Sequence, residues 1–152
     1  MQSPPAQRFV RSGHPPWLLL LDAEHPAWGT VARSPEATIT HTTLLPFQPE
    51  SMTPTQLAAV SCLARYTGHT HSLYAYHLRR WFAWCETNAV DPLVGIQRAH
   101  IELYIRHLTE GGLRVSSVNT IMHGVRGFFR FAHIDGLITA DPAVHARLPR
   151  IH

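Results

Sequence analysis

The sequence predicts an all-α protein, with four main helices and a short fifth helix preceded by an irregular arm. Apolar residues recur with helical spacing in four separate stretches between residues 53 and 133. Each stretch is bounded by residues that begin or end helices, mostly threonine, proline and glycine. Before them, residues 1–52 hold eight of the twelve prolines, and no helical or alternating period survives there.

Residues 1–52 are therefore expected to form a proline-rich arm that is disordered in large part. Its short apolar runs at residues 17–21 and 44–47 are the candidates for docking on the domain. A wrongly chosen start codon is an alternative explanation of the arm. The domain itself is expected over residues 53–148, followed by a truncated linker at residues 149–152.

Helix 1 is predicted over residues 54–66. Thr53 and Gln56 have the spacing of a capping box, with Pro54 at the first helical position. Gly68 is placed to end the helix. The expected buried residues are Leu57, Val60, Leu63 and Ala64.

Helix 2 is predicted over residues 70–88, with Thr70 as its N-cap. Its apolar stripe consists of Tyr74, Leu78, Trp81, Trp84 and Cys85. Arg79 falls off this stripe and Arg80 at its edge, so both guanidinium groups are expected to reach outward. The pair Asp91-Pro92 then predicts a single further turn.

Helix 3 is predicted over residues 98–110 and is ended by Gly111-Gly112. Its inward residues are Ile101, Tyr104, Ile105 and Leu108. The outer face carries charges of alternating sign at i,i+4 spacing, which is typical of a solvated helix face. These charges belong to Arg98, Glu102, Arg106 and Glu110.

Helix 4 is predicted over residues 118–133, capped by Ser116 or Ser117 and closed by Gly136. Its core side is formed by Val118, Ile121, Met122, Val125, Phe128, Phe129 and Ala132. Gly124 and Gly127 interrupt the helix, which indicates a close approach by a neighbouring helix or by a DNA backbone. A last short helix is predicted over residues 141–147 from the Asp141-Pro142 pair.

Charge is unevenly distributed along the chain. Residues 1–52 have three arginines against four acids, whereas residues 53–152 have ten arginines against six acids. All thirteen basic residues are arginine, which suits phosphate and guanine recognition but also fits a GC-rich coding sequence. Cys62 and Cys85 lie among apolar neighbours, as reduced buried thiols do. With no membrane span or secretory signal in the sequence, a cytoplasmic protein is expected.

Several motifs, taken in order, resemble the N-terminal core-binding, SAM-like domain of phage-integrase-type tyrosine recombinases. They are Thr70-x3-Tyr74-x3-Leu78-x2-Trp81-x2-Trp84, Ile101-x2-Tyr104-Ile105-x2-Leu108, Ser116-x3-Thr120-Ile121, Val125-Arg126-x-Phe128-Phe129 and Gly136-Leu137-Ile138-x2-Asp141-Pro142-Ala143. The resemblance covers residues 53–151. Asp141 stands where the family more often has asparagine before proline, and both residues cap helices.

The resemblance implies a module that binds a core half-site of double-stranded DNA through helices 2 and 4, with other recombinase protomers as further partners. Helix 4 carries polar residues at i, i+4, i+7 and i+11, opposite its aromatic side. The candidate DNA-binding residues are Arg79, Arg80, Asn119, His123, Arg126 and Arg130. No cofactor, metal ion, membrane or small-molecule substrate is expected. Bound to DNA, the module would be nucleoid-associated.

In the resembled recombinases a second domain supplies the catalytic arginines, histidine and tyrosine, and this chain stops where that domain would start. We therefore expect no catalytic residue and no enzyme activity here. The four tyrosines, Tyr66, Tyr74, Tyr76 and Tyr104, lie within the helical patterns and are expected to pack the bundle. A helical protein-interaction module and a non-functional remnant of a truncated integrase are the alternatives.

Overall fold

The computed structural model describes residues 49–150, and within that range the chain is all-helical. A single 3-10 turn at Pro49–Ser51 precedes four helices. They are α1 (Pro54–Ala64), α2 (Gly68–Thr87), α3 (Arg98–Glu110) and α4 (Val115–Ile134). The predicted all-α fold is confirmed. Most of the predicted arm, including the apolar runs at residues 17–21 and 44–47, lies outside the described residues.

The start of α1 confirms the predicted capping box. The Gln56 backbone N–H donates to Thr53 Oγ1 at 3.2 Å, and the Thr53 N–H donates to Gln56 Oε1 at 2.9 Å. The helix ends at Ala64, two residues earlier than predicted, and Ala64 is exposed rather than buried. Because the next residues turn the chain toward α2, the last predicted turn cannot form.

The start of α2 differs from the prediction. Thr67 is the N-cap residue by position, without a side-chain capping bond, and the helix begins at Gly68. Thr70 therefore lies inside the first turn, so its predicted role as cap is wrong. Gly68 has a φ of +59°, a left-handed conformation that lets the chain turn directly from α1 into α2.

The predicted bounds of α3 are confirmed at both ends. The four residues predicted to face inward, Ile101, Tyr104, Ile105 and Leu108, are all buried. On the outer face, Arg98 Nη1 and Glu102 Oε2 form an ion pair at 2.6 Å. Gly112, at φ +90°, follows the helix where the glycine pair was expected to stop it.

The start of α4 lies three residues before the predicted one. Arg114 occupies the N-cap position and makes no side-chain capping bond. Ser116 and Ser117 consequently lie in the first turn, and the prediction that either one caps the helix is wrong. All seven residues predicted for the core side of α4 are buried.

The core forms where α1 and α2 pack against α4. Trp81 is fully buried at its centre, with ring centroids 5.0 Å from Tyr104 and 5.8 Å from Phe129. Its indole N–H donates to the Pro92 carbonyl oxygen at 3.0 Å, which satisfies the one polar atom that the ring buries. The turn at Asp91 is tied to α1, since Asp91 Oδ1 accepts a 2.9 Å bond from the Thr55 hydroxyl.

Gly124 lies at a close contact between α4 and α2. A Cβ at this position would lie 2.8 Å from the Cβ of His77 and 3.1 Å from Cδ1 of Tyr74. The sequence left open whether a helix or DNA requires this glycine, and at Gly124 the neighbour is α2. At Gly127 a Cβ would meet no described atom within 4 Å.

Residues 139–150, here called the exit segment, contain turns instead of the predicted helix at 141–147. Asp141 still caps locally, because its Oδ1 accepts from the Ala143 N–H at 2.9 Å. The chain then buries Ala143 and Ala146 in the core. Its backbone groups form hydrogen bonds with side chains of α3 and α4. These bonds take the place of the backbone hydrogen bonds that a helix would form.

Candidate nucleic-acid interface

One side of α4 presents a polar stripe to solvent. Its exposed members, Ser116, Thr120, His123 and Arg130, recur at four, three and seven residues and so share one face. This set is called the α4 stripe below. α4 contains no aspartate or glutamate. The stripe therefore combines hydrogen-bonding groups with positive charge and has no carboxylate on its own helix.

Arg80 of α2 lies beside the first half of the α4 stripe. A groove of about 350 Å³ separates α2 from the start of α4, and Arg80, Ser116 and Thr120 all line it. Arg80 Nη1 donates to the Tyr76 hydroxyl at 3.2 Å, which restrains the guanidinium group near this groove. Arg79, the neighbouring predicted residue, is half-buried.

Arg130 lies near the other end of the stripe. Its guanidinium carbon is 5.2 Å from the ring centroid of Phe131. A second arginine, Arg65, comes directly after α1 and also lies 5.2 Å from that centroid. Sequence analysis missed Arg65 because no local pattern relates it to a ring 66 positions away.

Asn119 and Arg126 are placed differently from the prediction that they face outward with His123 and Arg130. Arg126 Nη2 donates to the Ala146 carbonyl oxygen at 2.8 Å, and Asn119 Nδ2 lies 3.4 Å from the Pro149 carbonyl oxygen. Both side chains are half-buried. The helical spacing does bring the four residues to one side of α4, but the exit segment covers half of that side.

His77 is buried where α2 meets α4, with 2% of its surface exposed. Burial lowers its pKa to about 4, and the positive charge of Arg80 and the nearby His123 act in the same direction. The imidazole is therefore neutral near pH 7. The positive charge of this interface comes from its arginines.

Burial disfavours the ionised, nucleophilic form of the two thiols and of Tyr104. Burial raises the pKa of Cys62 to about 12, against a smaller opposing effect of Arg130, and it also raises the pKa of Cys85. Both thiols are free and buried, as the sequence predicted. Tyr104 is 1% exposed, and burial raises its pKa as well.

The potential metal ligands of residues 49–150 are dispersed over the bundle. No three His, Cys, Asp or Glu side chains in this range lie close enough to hold a metal ion. None of the helices there combines the length and the apolar character that crossing a bilayer requires.

Residues 61–136 match the family described as phage integrase, N-terminal SAM-like domain. The match runs from the second half of α1 to the second residue after the α4 C-terminus, so it includes the α4 stripe and Arg80. No solved structure matches the chain significantly.

Three curated relatives match the chain, and each is named tyrosine recombinase XerD. The chain is 31% identical over 83 residues to the protein of Pseudomonas aeruginosa, and 30% identical over 88 residues to that of Corynebacterium glutamicum. It is 29% identical over 86 residues to the Chlorobaculum tepidum protein. These matches include 55 to 57% of the chain but only 28 to 29% of the length of the relatives.

Proposed function

Since this chain belongs to the phage integrase N-terminal SAM-like domain family, we propose that it is the DNA-binding module of a site-specific recombinase. It contacts a core half-site of double-stranded DNA through α2 and α4. The observation that most supports this is the α4 stripe, whose four members are exposed and lie near Arg80 of α2 and Arg65 at the end of α1. A module of this kind acts where chromosomal DNA lies, in the cytoplasm at the nucleoid.

The chemistry of the stripe suits a DNA major groove. The groove admits an α-helix, and hydroxyl, imidazole and guanidinium groups all hydrogen-bond to base edges. Thr120 and His123 lie in the middle of the stripe, where the helix would approach the bases. Arg80 and Arg130 flank them and suit the phosphates on either side. Arg79 adds positive charge on α2.

Asn119 and Arg126 have a different proposed role. Their side chains hold the exit segment on α4, so they position the interface and leave base and phosphate contact to the other predicted residues. Ser116 and Thr120 take their place as polar contacts, because both are exposed on the stripe. The proposed contact set is therefore Arg79, Arg80, Ser116, Thr120, His123 and Arg130.

Binding should be weak and salt-dependent. A single module neutralises few phosphates, so we expect a Kd on the order of micromolar or weaker, with log affinity falling by about 0.9 per phosphate contacted for each tenfold rise in salt. Fluorescence anisotropy with labelled duplex DNA at several salt concentrations measures both quantities. Affinity that does not change with salt would overturn the proposal.

A matched pair of variants tests the location of the interface. Arg130→Gln removes one positive charge from the α4 stripe, and Arg106→Gln removes one from an exposed position on α3. We expect Arg130→Gln to weaken binding on the order of tenfold at low salt, and Arg106→Gln to leave it nearly unchanged. An equal loss in both variants would mean that net charge alone governs binding.

We further propose that these 152 residues bind DNA without cutting it. The phenol of Tyr104 is buried, and the rings of Tyr66 and Tyr74 stack on one another with centroids 4.4 Å apart. Incubation with a nicked suicide duplex, followed by denaturing electrophoresis, should give no covalent adduct. An adduct that maps to any of the four tyrosines would reverse this conclusion.

A protein-interaction module is the second candidate, and one surface favours it. A groove of about 510 Å³ lies between α3 and the exit segment. Ile105, Leu148 and Pro149 contribute apolar surface to it. Its charged lining consists of three arginines, Arg106, Arg147 and Arg150, and one carboxylate, Glu102, so positive charge is in excess. An acidic partner with one apolar side chain would suit it. Under this alternative, Arg147→Gln would abolish partner binding, and the parent protein would not bind duplex DNA.

A further inference from the structure

Two arginines from different helices converge on one aromatic ring at the end of the bundle. Arg65 follows α1 and Arg130 belongs to α4, and each guanidinium carbon is 5.2 Å from the Phe131 centroid. The two guanidinium carbons therefore lie no further apart than twice that distance. Both arginines are exposed, while the ring that both approach is half-buried.

Tyr66 is a second aromatic residue close to this pair of arginines. Tyr66, which directly follows Arg65, stacks on Tyr74 with ring centroids 4.4 Å apart. Both arginines act electrostatically on Tyr66, because their positive charges oppose the rise in the Tyr66 pKa that burial causes. The Phe131 ring attracts each guanidinium group and so holds the two charges near one another.

No carboxylate of residues 49–150 forms an ion pair with either arginine, although Arg98 on α3 has such a partner in Glu102. Two like charges brought together repel, and that repulsion is relieved when an anion lies between them. Guanidinium groups donate two parallel hydrogen bonds to the oxygens of a phosphate. A phosphodiester presents two non-bridging oxygens, which two converging guanidinium groups can share.

We propose that Arg65 and Arg130 together bind one backbone phosphate of the DNA, so that α1 contributes to the interface beside α2 and α4. The proposal rests on the proposed function and adds Arg65, which neither the sequence pattern nor the family match assigns to DNA. Phe131 is the positioning residue, because its ring is common to both arginines.

The dimensions of α4 agree with this arrangement. Ser116 and Arg130 are separated by 14 residues, or about 21 Å along a helix that rises 1.5 Å per residue. The major groove of B-DNA is about 12 Å wide. A helix lying across the groove thus extends beyond it on both sides. One strand's backbone then meets the Arg65–Arg130 pair, and the other meets the end of the stripe beside Arg80.

Sharing of one phosphate predicts non-additive variants. We expect Arg65→Gln and Arg130→Gln each to weaken duplex binding on the order of tenfold at low salt and to reduce the salt slope by about 0.9. The double variant should have nearly the same slope as either single variant, because only one phosphate contact is lost. Arg106→Gln is the charge-matched control and should retain the parent slope.

The outcomes separate this proposal from the proposed function. If Arg130→Gln weakens binding and Arg65→Gln does not, α1 is not in the interface, yet DNA binding through α4 stands. If the double variant reduces the salt slope by twice as much as either single variant, the arginines contact separate phosphates. That result also overturns the proposal.

A second measurement uses inorganic phosphate and does not depend on DNA. Phosphate is titrated against chloride at constant ionic strength while the guanidinium Nε–H resonances are followed by NMR. The expected result is a saturable shift of Arg65 and Arg130 that Phe131→Leu weakens. Equal, non-saturating shifts across all exposed arginines would overturn the proposal even if the protein binds DNA.

Discussion

Arg126 Nη2 donates a 2.8 Å hydrogen bond to the carbonyl oxygen of Ala146, and this bond joins α4 to the exit segment across 20 residues of sequence. Ala146 is buried in the core at the same place. The Nε atom of Arg126 is also buried, without a hydrogen-bond partner among the described residues. The Arg126 side chain therefore stabilises the fold, although its helical spacing groups it with the candidate DNA-binding residues of α4.

Arg126→Ala should destabilise the protein by about 1 to 3 kcal/mol, because it leaves a buried carbonyl group without its donor and removes a long side chain from a packed site. Urea melts measure the loss, and hydrogen exchange should show faster exchange in the exit segment. Arg106→Ala, at an exposed position on α3, is the control. Identical melting curves for Arg126→Ala and the parent would refute this prediction.

The two glycines of α4 should respond in opposite directions to alanine. Gly124→Ala places a Cβ 2.8 Å from the Cβ of His77, and forcing the helices apart should cost about 1 to 3 kcal/mol. Gly127→Ala meets no described atom within 4 Å and should gain up to about 1 kcal/mol from helix propensity. Denaturant melts of both variants test the pair. Destabilisation by Gly127→Ala of the same size would contradict it.

Phe129→Ala should cost about 3 to 5 kcal/mol, since it leaves a cavity at the centre of the core. The ring is fully buried, with centroids 5.8 Å from Trp81 and 5.1 Å from Phe128. The neighbouring exposed substitution Arg130→Ala should change stability by no more than about 0.5 kcal/mol. Guanidinium chloride melts compare the two, and similar losses would show that Phe129 is not part of the core.

His77 should make stability depend on pH. Its pKa falls from 6.5 in the unfolded chain to about 4 in the folded protein, mainly through burial, so the folded state favours the neutral imidazole. The free energy of unfolding that depends on the neutral imidazole is fully present above pH 6.5. It falls by up to about 3 kcal/mol as the pH falls toward 4. His77→Gln removes the titration. Melts at pH 7 and pH 4.5 should show a smaller pH-dependent loss in this variant than in the parent, and equal losses would exclude His77 as the cause.

Most of the helical framework could be predicted from the sequence. Apolar residues such as Trp81, Tyr104 and Phe129 belong to patterns that recur every three or four positions within a helix. The local sequence of a helix therefore indicates which of its sides is buried. The α3 bounds and the α1 capping box depend on equally local chemistry. The N-cap of α2 could not be located from the sequence, because Gly68 and Thr70 both have residue types that occur at helix ends.

The sequence by itself determined the all-α class, the buried faces of α3 and α4 and the family. Only the tertiary structure decided which polar residues of α4 remain exposed, because the exit segment that covers Asn119 and Arg126 joins α4 through contacts 20 and 30 residues apart. It likewise decided that Arg65 lies beside Arg130. A helical period describes one helix at a time, whereas a binding surface forms where separate segments meet in space.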